Sequence, residues 1–168
     1  MSHEDYANLV GTLWNRPHRE EKYIAVRIAR KFRPFIDVPA LPLYERMIRE
    51  GAWWDLVDET ASHLVGGVLA REPEQTWPVL DTWILDENMW IRRTALLAQL
   101  RRKKQTDEAR LFCYCLALAD EKEFFIRKSI GWALREYAYT NPDAVREFLA
   151  KHGNRFSKLT IREASKRL

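Results

Sequence analysis

The sequence predicts an all-α protein whose helices stack as a curved array of repeats, and three observations support that prediction. Apolar residues recur with helical spacing, as in Tyr23, Val26 and Ile28, and no stretch alternates apolar and polar residues long enough to form a sheet. Prolines and glycines interrupt the chain at regular places, which predicts helices of about ten to sixteen residues with short turns between them. The third observation is an internal repeat.

The internal repeat has a step of 35 residues. Residues 91–95, IRRTA, resemble residues 126–130, IRKSI, at a shift of 126 − 91 = 35. The same step back from Arg93 reaches Asp58, and a further 36 residues reach Lys22. Repeats of this length with two helices each are typical of HEAT-like solenoids, in which equivalent helix positions line one curved surface. We therefore expect four repeats in one register, forming a right-handed curved array with a concave binding face.

Composition is that of an ordinary globular protein. The 168 residues suit one domain, 46% of them are hydrophobic, and no apolar run is long enough to span a bilayer. The first ten residues contain acids and no apolar segment of the kind that marks a secretory signal. We expect a single domain over residues 1–168, located in the cytoplasm, monomeric and without a membrane partner.

Cysteines and histidines give no sign of a disulfide or a metal site. Cys113 and Cys115 lie two residues apart in an apolar helical run, where their side chains point in different directions. We expect both thiols to be reduced and buried in the core. The four histidines show no metal-ligand spacing with one another or with the cysteines. The sequence therefore predicts neither a metal nor another cofactor.

Positive charge is unevenly distributed along the chain. Residues 88–106 carry six Arg and Lys residues and no acid. Such a run is either a solvated helix end or a stripe that binds phosphates. The repeat favours the stripe, because on a concave face aligned cations would neutralise a polyanion. The position shared by the four repeats reads, in order, Lys22, Asp58, Arg93 and Lys128.

Asp58 is the exception in this row, because a carboxylate weakens phosphate binding. Its presence suggests a role in chemistry, either stabilising a developing positive charge or holding a water molecule. The alternative is that Asp58 only forms an ion pair with Lys22 or Arg93. Both interpretations are compatible with the sequence.

Tryptophans flank the same row. Trp54 lies four residues before Asp58, and Trp132 lies four residues after Lys128, so each shares a helical face with its charged neighbour. Arg135 adds a cation three residues beyond Trp132. The alternative for either tryptophan is simple packing, the usual role of this residue. Of the other five tryptophans, we assign three to the core: Trp14, Trp77 and Trp83. The sequence gives no assignment for Trp53 and Trp90.

Three segments resemble the AlkD-like DNA alkylation repair family. They are residues 53–58 (WWDLVD), 90–93 (WIRR) and 130–138 (IGWALREYA), and the resemblance extends from about residue 13 to residue 164. In that family a Trp, an Asp four residues later, an Arg and a later Trp line the concave cleft, and the matching residues are Trp54, Asp58, Arg93 and Trp132. Family members have further helices before the segment that begins here near Tyr6, so the resemblance implies that this chain lacks those N-terminal helices.

The resemblance implies a DNA glycosylase that releases cationic N3- or N7-alkylated purines from double-stranded DNA without flipping the damaged base. A purine with a positive charge is already a good leaving group, so one carboxylate suffices where other glycosidases use two. Asp58 would stabilise the sugar cation and position a water, and the faces of Trp54 and Trp132 would contact the cationic nucleotide. Arg93 would hold a phosphate near the lesion. Further phosphate contacts are expected at Lys22, Arg101, Lys103, Lys128 and Arg135.

Two other functions fit parts of the pattern. A non-catalytic module that binds bent or branched DNA would need only the basic stripe, and an isolated acid in its groove would serve no purpose. A protein–protein scaffold is the commonest role of HEAT-like arrays, but it would not explain aligned cations beside two tryptophans. The enzyme is the interpretation that uses all of these features.

Overall fold

The computed structural model describes residues 1–168 and contains helices but no strand, which confirms the all-α prediction. None of its helices is long and apolar enough to cross a membrane. The α-helices are His3–Trp14 (α1), Arg19–Lys31 (α2), Leu41–Gly51 (α3), Trp54–Glu59 (α4), Gly66–Arg71 (α5), Pro73–Trp83 (α6), Met89–Leu97 (α7), Glu108–Ala117 (α8), Phe124–Ala138 (α9), Pro142–His152 (α10) and Lys158–Ala164 (α11).

Local sequence explains where many of these helices begin. The first amides of a helix have no partner within it, and a Ser, Asn or Asp side chain just before the helix supplies one. Pro73 and Pro142 occupy the first helical position, where a missing N–H costs nothing. Five helices begin after a capping side chain that accepts a hydrogen bond from the first turn: Ser2, Asn88, Asp107, Asn141 and Ser157.

The helices form consecutive pairs, and the second helices of successive pairs begin at a regular interval. Helices α2, α4, α7 and α9 begin at residues 19, 54, 89 and 124, so that 54 − 19 = 89 − 54 = 124 − 89 = 35. Helix α11 follows after 34 residues, at position 158, and forms a fifth pair with α10. The array thus contains one helix pair more than the four repeats predicted. Helices α2, α4, α7, α9 and α11 contact one another in that order, and we call them the inner layer.

The first repeat lies one residue out of the predicted register. Because α2 begins at residue 19, the position equivalent to Asp58 is Tyr23, since 58 − 35 = 23. Lys22 precedes it by one residue, a rotation of about 100° around the helix. Its Nζ donates to the carbonyl oxygen of Trp14 at 2.7 Å and lies 4.6 Å from the centroid of the Trp14 ring. The predicted place of Lys22 in the aligned row is therefore wrong.

The helix that carries Asp58 changes geometry immediately after it. Helix α4 continues through a π-helical segment, Thr60–Val65, into α5. The hydroxyl of Ser62 donates to the carbonyl oxygen of Asp58 at 2.7 Å, within this segment. At its end, a Cβ on Gly66 would lie only 2.6 Å from the carbonyl oxygen of Ala98, so the helix approaches the end of α7 closely. π-Helical segments are rare in proteins as a whole, but those that occur are often found at functional sites.

The core is one connected cluster of 42 buried apolar side chains that runs between the two layers of helices. Trp14 and Trp83 are buried in it as predicted, whereas Trp77 is only partly buried, under the guanidinium of Arg110. Cys115 is buried, but Cys113 is exposed, which corrects the prediction for that thiol. The reason is geometric: residues two apart on a helix face different surroundings.

Helices α9 and α11 pack most closely at Gly131. A Cβ at this position would lie 2.5 Å from Cβ of Glu163 and 2.7 Å from the carbonyl oxygen of Thr160. Because a backbone atom cannot move aside, Gly131→Ala should lower the free energy of unfolding by about 1–3 kcal/mol, measured by urea denaturation. Gly11→Ala is the matched control, since nothing lies within 4 Å of its added Cβ in α1 and a stabilisation of about 0.5–1 kcal/mol is expected. Equal effects of the two substitutions would contradict the close packing.

Candidate functional site

The inner layer encloses a pocket of about 430 Å³ between α4, α7, α9 and α11, which we call the central pocket. Only aromatic and charged side chains line it. Six of the predicted site residues meet there, although they come from three different helices. The lining consists of Trp54, Phe124, Phe125 and Trp132 together with Asp58, Arg93, Lys128, Arg135 and Glu163.

Asp58 and Arg93 form a bidentate ion pair in the central pocket. Arg93 Nε donates to Asp58 Oδ1 at 2.7 Å, and Nη2 donates to Oδ2 at 2.8 Å. The third nitrogen, Nη1, donates to the carbonyl oxygen of Phe125. The two side chains are only 4% and 13% exposed, for Arg93 and Asp58 respectively. The ion pair that the sequence left open is therefore present.

This geometry corrects the role expected for Arg93. All three of its donor nitrogens are engaged by the protein and its guanidinium is buried, so it is not available to grip a DNA phosphate. Its planar fork instead fixes both oxygens of Asp58 in one orientation. Arg93 is a positioning residue for this carboxylate.

Burial raises the pKa of the Asp58 carboxyl above its ordinary value, and the hydrogen bonds and charge of Arg93 oppose that shift. The bidentate contact favours the ionised form, which is the form that accepts both hydrogen bonds. A carboxylate that is largely removed from water interacts strongly with a cation that enters the pocket, because little solvent screens the two charges.

Glu163 is a second carboxylate in the central pocket, and the sequence analysis missed it. Lys166 donates to its Oε1 at 2.7 Å and Arg135 donates to its Oε2 at 2.9 Å. The hydrogen bond from Lys166, together with the charges of Lys166, Arg135 and Lys128, lowers the pKa of Glu163. Glu163 is therefore ionised, with both oxygens occupied. A signal for it existed, because one further step of 35 residues from Lys128 reaches position 163.

Four aromatic side chains line the central pocket, Trp54, Phe124, Phe125 and Trp132, and we call them the aromatic wall. Phe124 and Phe125 were also missed by the sequence analysis. Phe124 is the first residue of α9, as Trp54 is of α4, and 124 − 54 = 70 is two repeat steps. Both are about half exposed, at 50% and 47%. Phe125 packs against Trp53 and Trp90, with ring centroids 5.4 and 5.1 Å away. These two tryptophans, which had no assignment from sequence, thus pack against Phe125 of the aromatic wall.

The predicted phosphate contacts fall in different places. Lys128 is exposed in the central pocket, with Nζ 5.7 Å from the ring centroid of Phe124, and Arg135 lines the pocket in its ion pair with the second carboxylate. Arg101 instead lines a separate pocket beside α2 and the π-helical segment. Lys103 lies in another pocket, between the end of α7 and α9. The structure does not bring these last two to Asp58.

The central pocket therefore combines two chemical capacities. A desolvated, oriented carboxylate among aromatic faces favours a cationic group, through both charge and cation–π attraction. The ammonium of Lys128 at the same opening favours a phosphate. A ligand that carries a positive charge on one part and negative charges on its backbone would match both.

Comparison with known proteins gives two kinds of match. The model of a family described as DNA alkylation repair enzyme matches residues 1–168. A solved structure described as a predicted DNA alkylation repair enzyme from Enterococcus faecalis aligns with a TM-score of 0.91 and 29% identity, over 100% of this chain and 78% of that chain. The structure of smu.31 from Streptococcus mutans UA159 aligns with a TM-score of 0.76 and 18% identity, over 99% and 85%, which shows the shared fold alone. No curated protein matches the chain.

Proposed function

The chain belongs to the DNA alkylation repair enzyme family, and from that premise we propose that it is a DNA glycosylase for cationic N3- or N7-alkylated purines in duplex DNA. Family membership gives a role in alkylation repair with DNA as partner. The proposal adds the reaction, which is hydrolysis of the N-glycosidic bond without base flipping by a monomer. One observation carries it: the Asp58 carboxylate, desolvated and fixed by Arg93, lies in a pocket walled by four aromatic side chains.

Hydrolysis at an alkylated purine needs no proton donor. The base already carries a positive charge, so it departs as a neutral molecule with the electrons of the broken bond, and the sugar becomes an oxocarbenium ion. Asp58 stabilises that ion electrostatically and accepts a proton from the water whose oxygen bonds to C1′. Neither carboxylate of the pocket is needed as an acid, which agrees with the ionised state of Glu163.

The aromatic wall contributes recognition of charge. A cation held over an aromatic face gains about 0.5–2 kcal/mol, more when water is excluded. Trp54 and Trp132 come from two different helices and line the same pocket as Asp58, so an alkylated nucleotide there contacts rings and carboxylate together. A normal purine lacks the charge and gains much less from these contacts.

Lys128 supplies the phosphate contact at the central pocket. Lys128→Gln should lower the slope of log binding constant against log salt concentration by about one, because one counterion-releasing contact is lost. The measurement is binding of undamaged duplex DNA over a range of salt concentrations. Lys151→Gln, an exposed residue of α10 outside the inner layer, is the control and should leave the slope unchanged. A slope that is the same for both variants would show that Lys128 does not contact the strand.

The rate of base release should fall at acid pH. Asp58 must be ionised, and burial raises its pKa, so activity is lost at a higher pH than an ordinary aspartate would give and is retained on the alkaline side. Arg93 opposes this shift, so Arg93→Lys should move the acid inflection to higher pH. Single-turnover rates across the acid range measure both effects. An inflection that moves to lower pH in Arg93→Lys would contradict the assigned role of this ion pair.

The experiment that tests the proposed function is a glycosylase assay on duplex DNA with a single N7-methylguanine, followed by chemical cleavage of abasic sites. Strand cleavage that depends on the protein is the expected result. Binding of bent or branched DNA without any cleavage would replace the proposal with a non-catalytic DNA-binding module.

A further inference from the structure

A second pocket, of about 540 Å³, lies at the C-terminal end of α2, beside the π-helical segment and α5. We call it the basic pocket. His63 and Gly67 contribute to it from the helix that carries Asp58. No carboxylate lines it. The net charge of the whole chain is only +4, and yet six cationic side chains converge here: Arg27, Arg30, Lys31, Arg33, Arg71 and Arg101.

Two of these six cations have partners within the protein. Arg30 forms an ion pair with Glu59, and Arg71 donates from Nη1 to three carbonyl oxygens in the turn that follows α2, at 3.0 to 3.1 Å. Arg71 therefore ties α5 to that turn and shapes the pocket. The other four have neither a side-chain hydrogen bond nor an ion pair: Arg27, Lys31, Arg33 and Arg101.

Four unpaired cations in one concavity repel one another, and the repulsion is relieved when an anion enters. Guanidinium groups present paired N–H donors that match phosphate oxygens, so an arginine-rich concavity is suited to a phosphate. We propose that the basic pocket binds a backbone phosphate of the DNA strand. The choice of DNA as the source of that phosphate rests on the proposed function.

The basic pocket lies close to the central pocket along one helix. His63 lies five residues after Asp58 on this continuous helix, at most about 7.5 Å along the axis at about 1.5 Å per residue. A phosphate in the basic pocket therefore belongs to the DNA near the lesion, on the α2 side of the central pocket. It would hold the strand while Asp58 acts on the sugar.

His63 offers a reporter of occupancy that is independent of catalysis. Burial and the charges of Arg30 and Arg101 lower its pKa. A phosphate in the basic pocket brings negative charge beside the imidazole and should raise that pKa towards its ordinary value. The charged groups that face His63 are Arg30, Arg101 and Glu59, and only the phosphate is added in the experiment.

The first test follows the His63 ring by NMR against pH in three samples: the protein alone, with inorganic phosphate, and with an undamaged duplex that has 5′-hydroxyl ends. We expect the pKa of His63 to rise in the second and third samples, since internal phosphodiesters are the only phosphates of that duplex. A rise with inorganic phosphate alone would overturn the assignment to a DNA strand. No rise in either sample would overturn the site.

The second test compares the salt dependence of duplex binding in two paired variants. Arg27→Gln with Arg33→Gln should lower the slope by about one, because the single phosphate of the basic pocket loses the charge of both exposed side chains. Arg146→Gln with Lys151→Gln, both exposed on α10, is the matched control and should leave the slope unchanged. Equal slopes in the two variants would overturn the proposal.

Base release separates this inference from the proposed function. A protein that never releases N7-methylguanine, but shows the His63 shift and the loss of slope, would keep the basic pocket as a DNA phosphate site and would lose only the glycosylase assignment. A protein that releases the base but shows neither the His63 shift nor the loss of slope would keep the glycosylase assignment and lose the phosphate site.

Discussion

Asp58→Asn should slow the release of N7-methylguanine by about 10²–10³-fold, while binding of duplex DNA stays equal or becomes tighter. The substitution removes the charge that stabilises the sugar cation. It also removes a repulsive charge from a surface that faces phosphates. Asparagine retains an oxygen that can accept from Arg93, so the buried guanidinium keeps a partner. Single-turnover release and fluorescence anisotropy on undamaged duplex measure the two effects.

Asp55→Asn is the matched control for this substitution. Asp55 lies in the same helix, three residues before Asp58, and forms an ion pair with Arg19 at 2.5 Å, but it does not line the central pocket. Its variant should release the base at close to the unmodified rate. Weaker DNA binding by Asp58→Asn with unchanged release would refute the catalytic assignment, as would an equal loss of rate in both variants.

Lesion charge should decide which bases leave. We expect efficient release of cationic N3- and N7-alkylated purines, and release slower by about 10²–10⁴-fold for uracil and 1,N6-ethenoadenine, because a neutral base needs a general acid worth that factor. The central pocket offers none. Asp58 is held in a bidentate ion pair, and Glu163 has a lowered pKa with both oxygens engaged. Parallel assays on duplexes that differ only in the lesion measure this selectivity.

Substitutions in the aromatic wall test the selectivity for cationic bases independently of the choice of lesion. Trp54→Ala with Trp132→Ala should depress release of the cationic base more than it weakens binding of undamaged duplex, because the cation–π contacts depend on the charge of the lesion. Equal losses in release and binding would mean that the tryptophans serve ordinary DNA binding. Rapid release of uracil by the unmodified protein would refute the mechanism even if the DNA binding proved correct.

The repeat step of 35 residues explains why much of the site was predictable. Positions separated by one repeat lie at the same point on successive inner helices, so a match between two short segments brings Asp58, Arg93 and Lys128 together. Trp54 and Trp132 follow because four residues on a helix return to the same face. The family model and the solved relatives confirm the family and the fold that these residues indicated.

Other features depend on geometry that spacing does not contain. Lys22 was misplaced because a step of 36 residues was used to reach it, whereas α2 and α4 begin 35 residues apart, and one residue turns a side chain by about 100°. The buried ion pair of Arg93 depends on the relative rotation of two adjacent helices, which spacing does not give. Arg93 therefore contacts Asp58 and not the DNA phosphate that was expected from its charge. Glu163 was within reach of the repeat step, but the fifth helix pair had not been recognised.

Of the basic pocket, the sequence indicated only Arg101 as a phosphate contact. Its cations lie in three separate parts of the chain, 27–33, residue 71 and residue 101, and only the fold brings them together around His63. Arg101 alone belongs to the basic run between residues 88 and 106 that the sequence singled out, and its neighbour Lys103 lies in a different pocket. A dense run of charge therefore predicted neither the location nor the composition of this site.

The most direct test of the proposed reaction is chromatographic identification of the base that an excess of the unmodified protein releases from a duplex with N7-methylguanine, with Asp58→Asn as the blank. We expect free N7-methylguanine and one abasic site for each lesion, both absent from the blank over the same time. No free base from the unmodified protein, under conditions in which it binds the duplex, would contradict it.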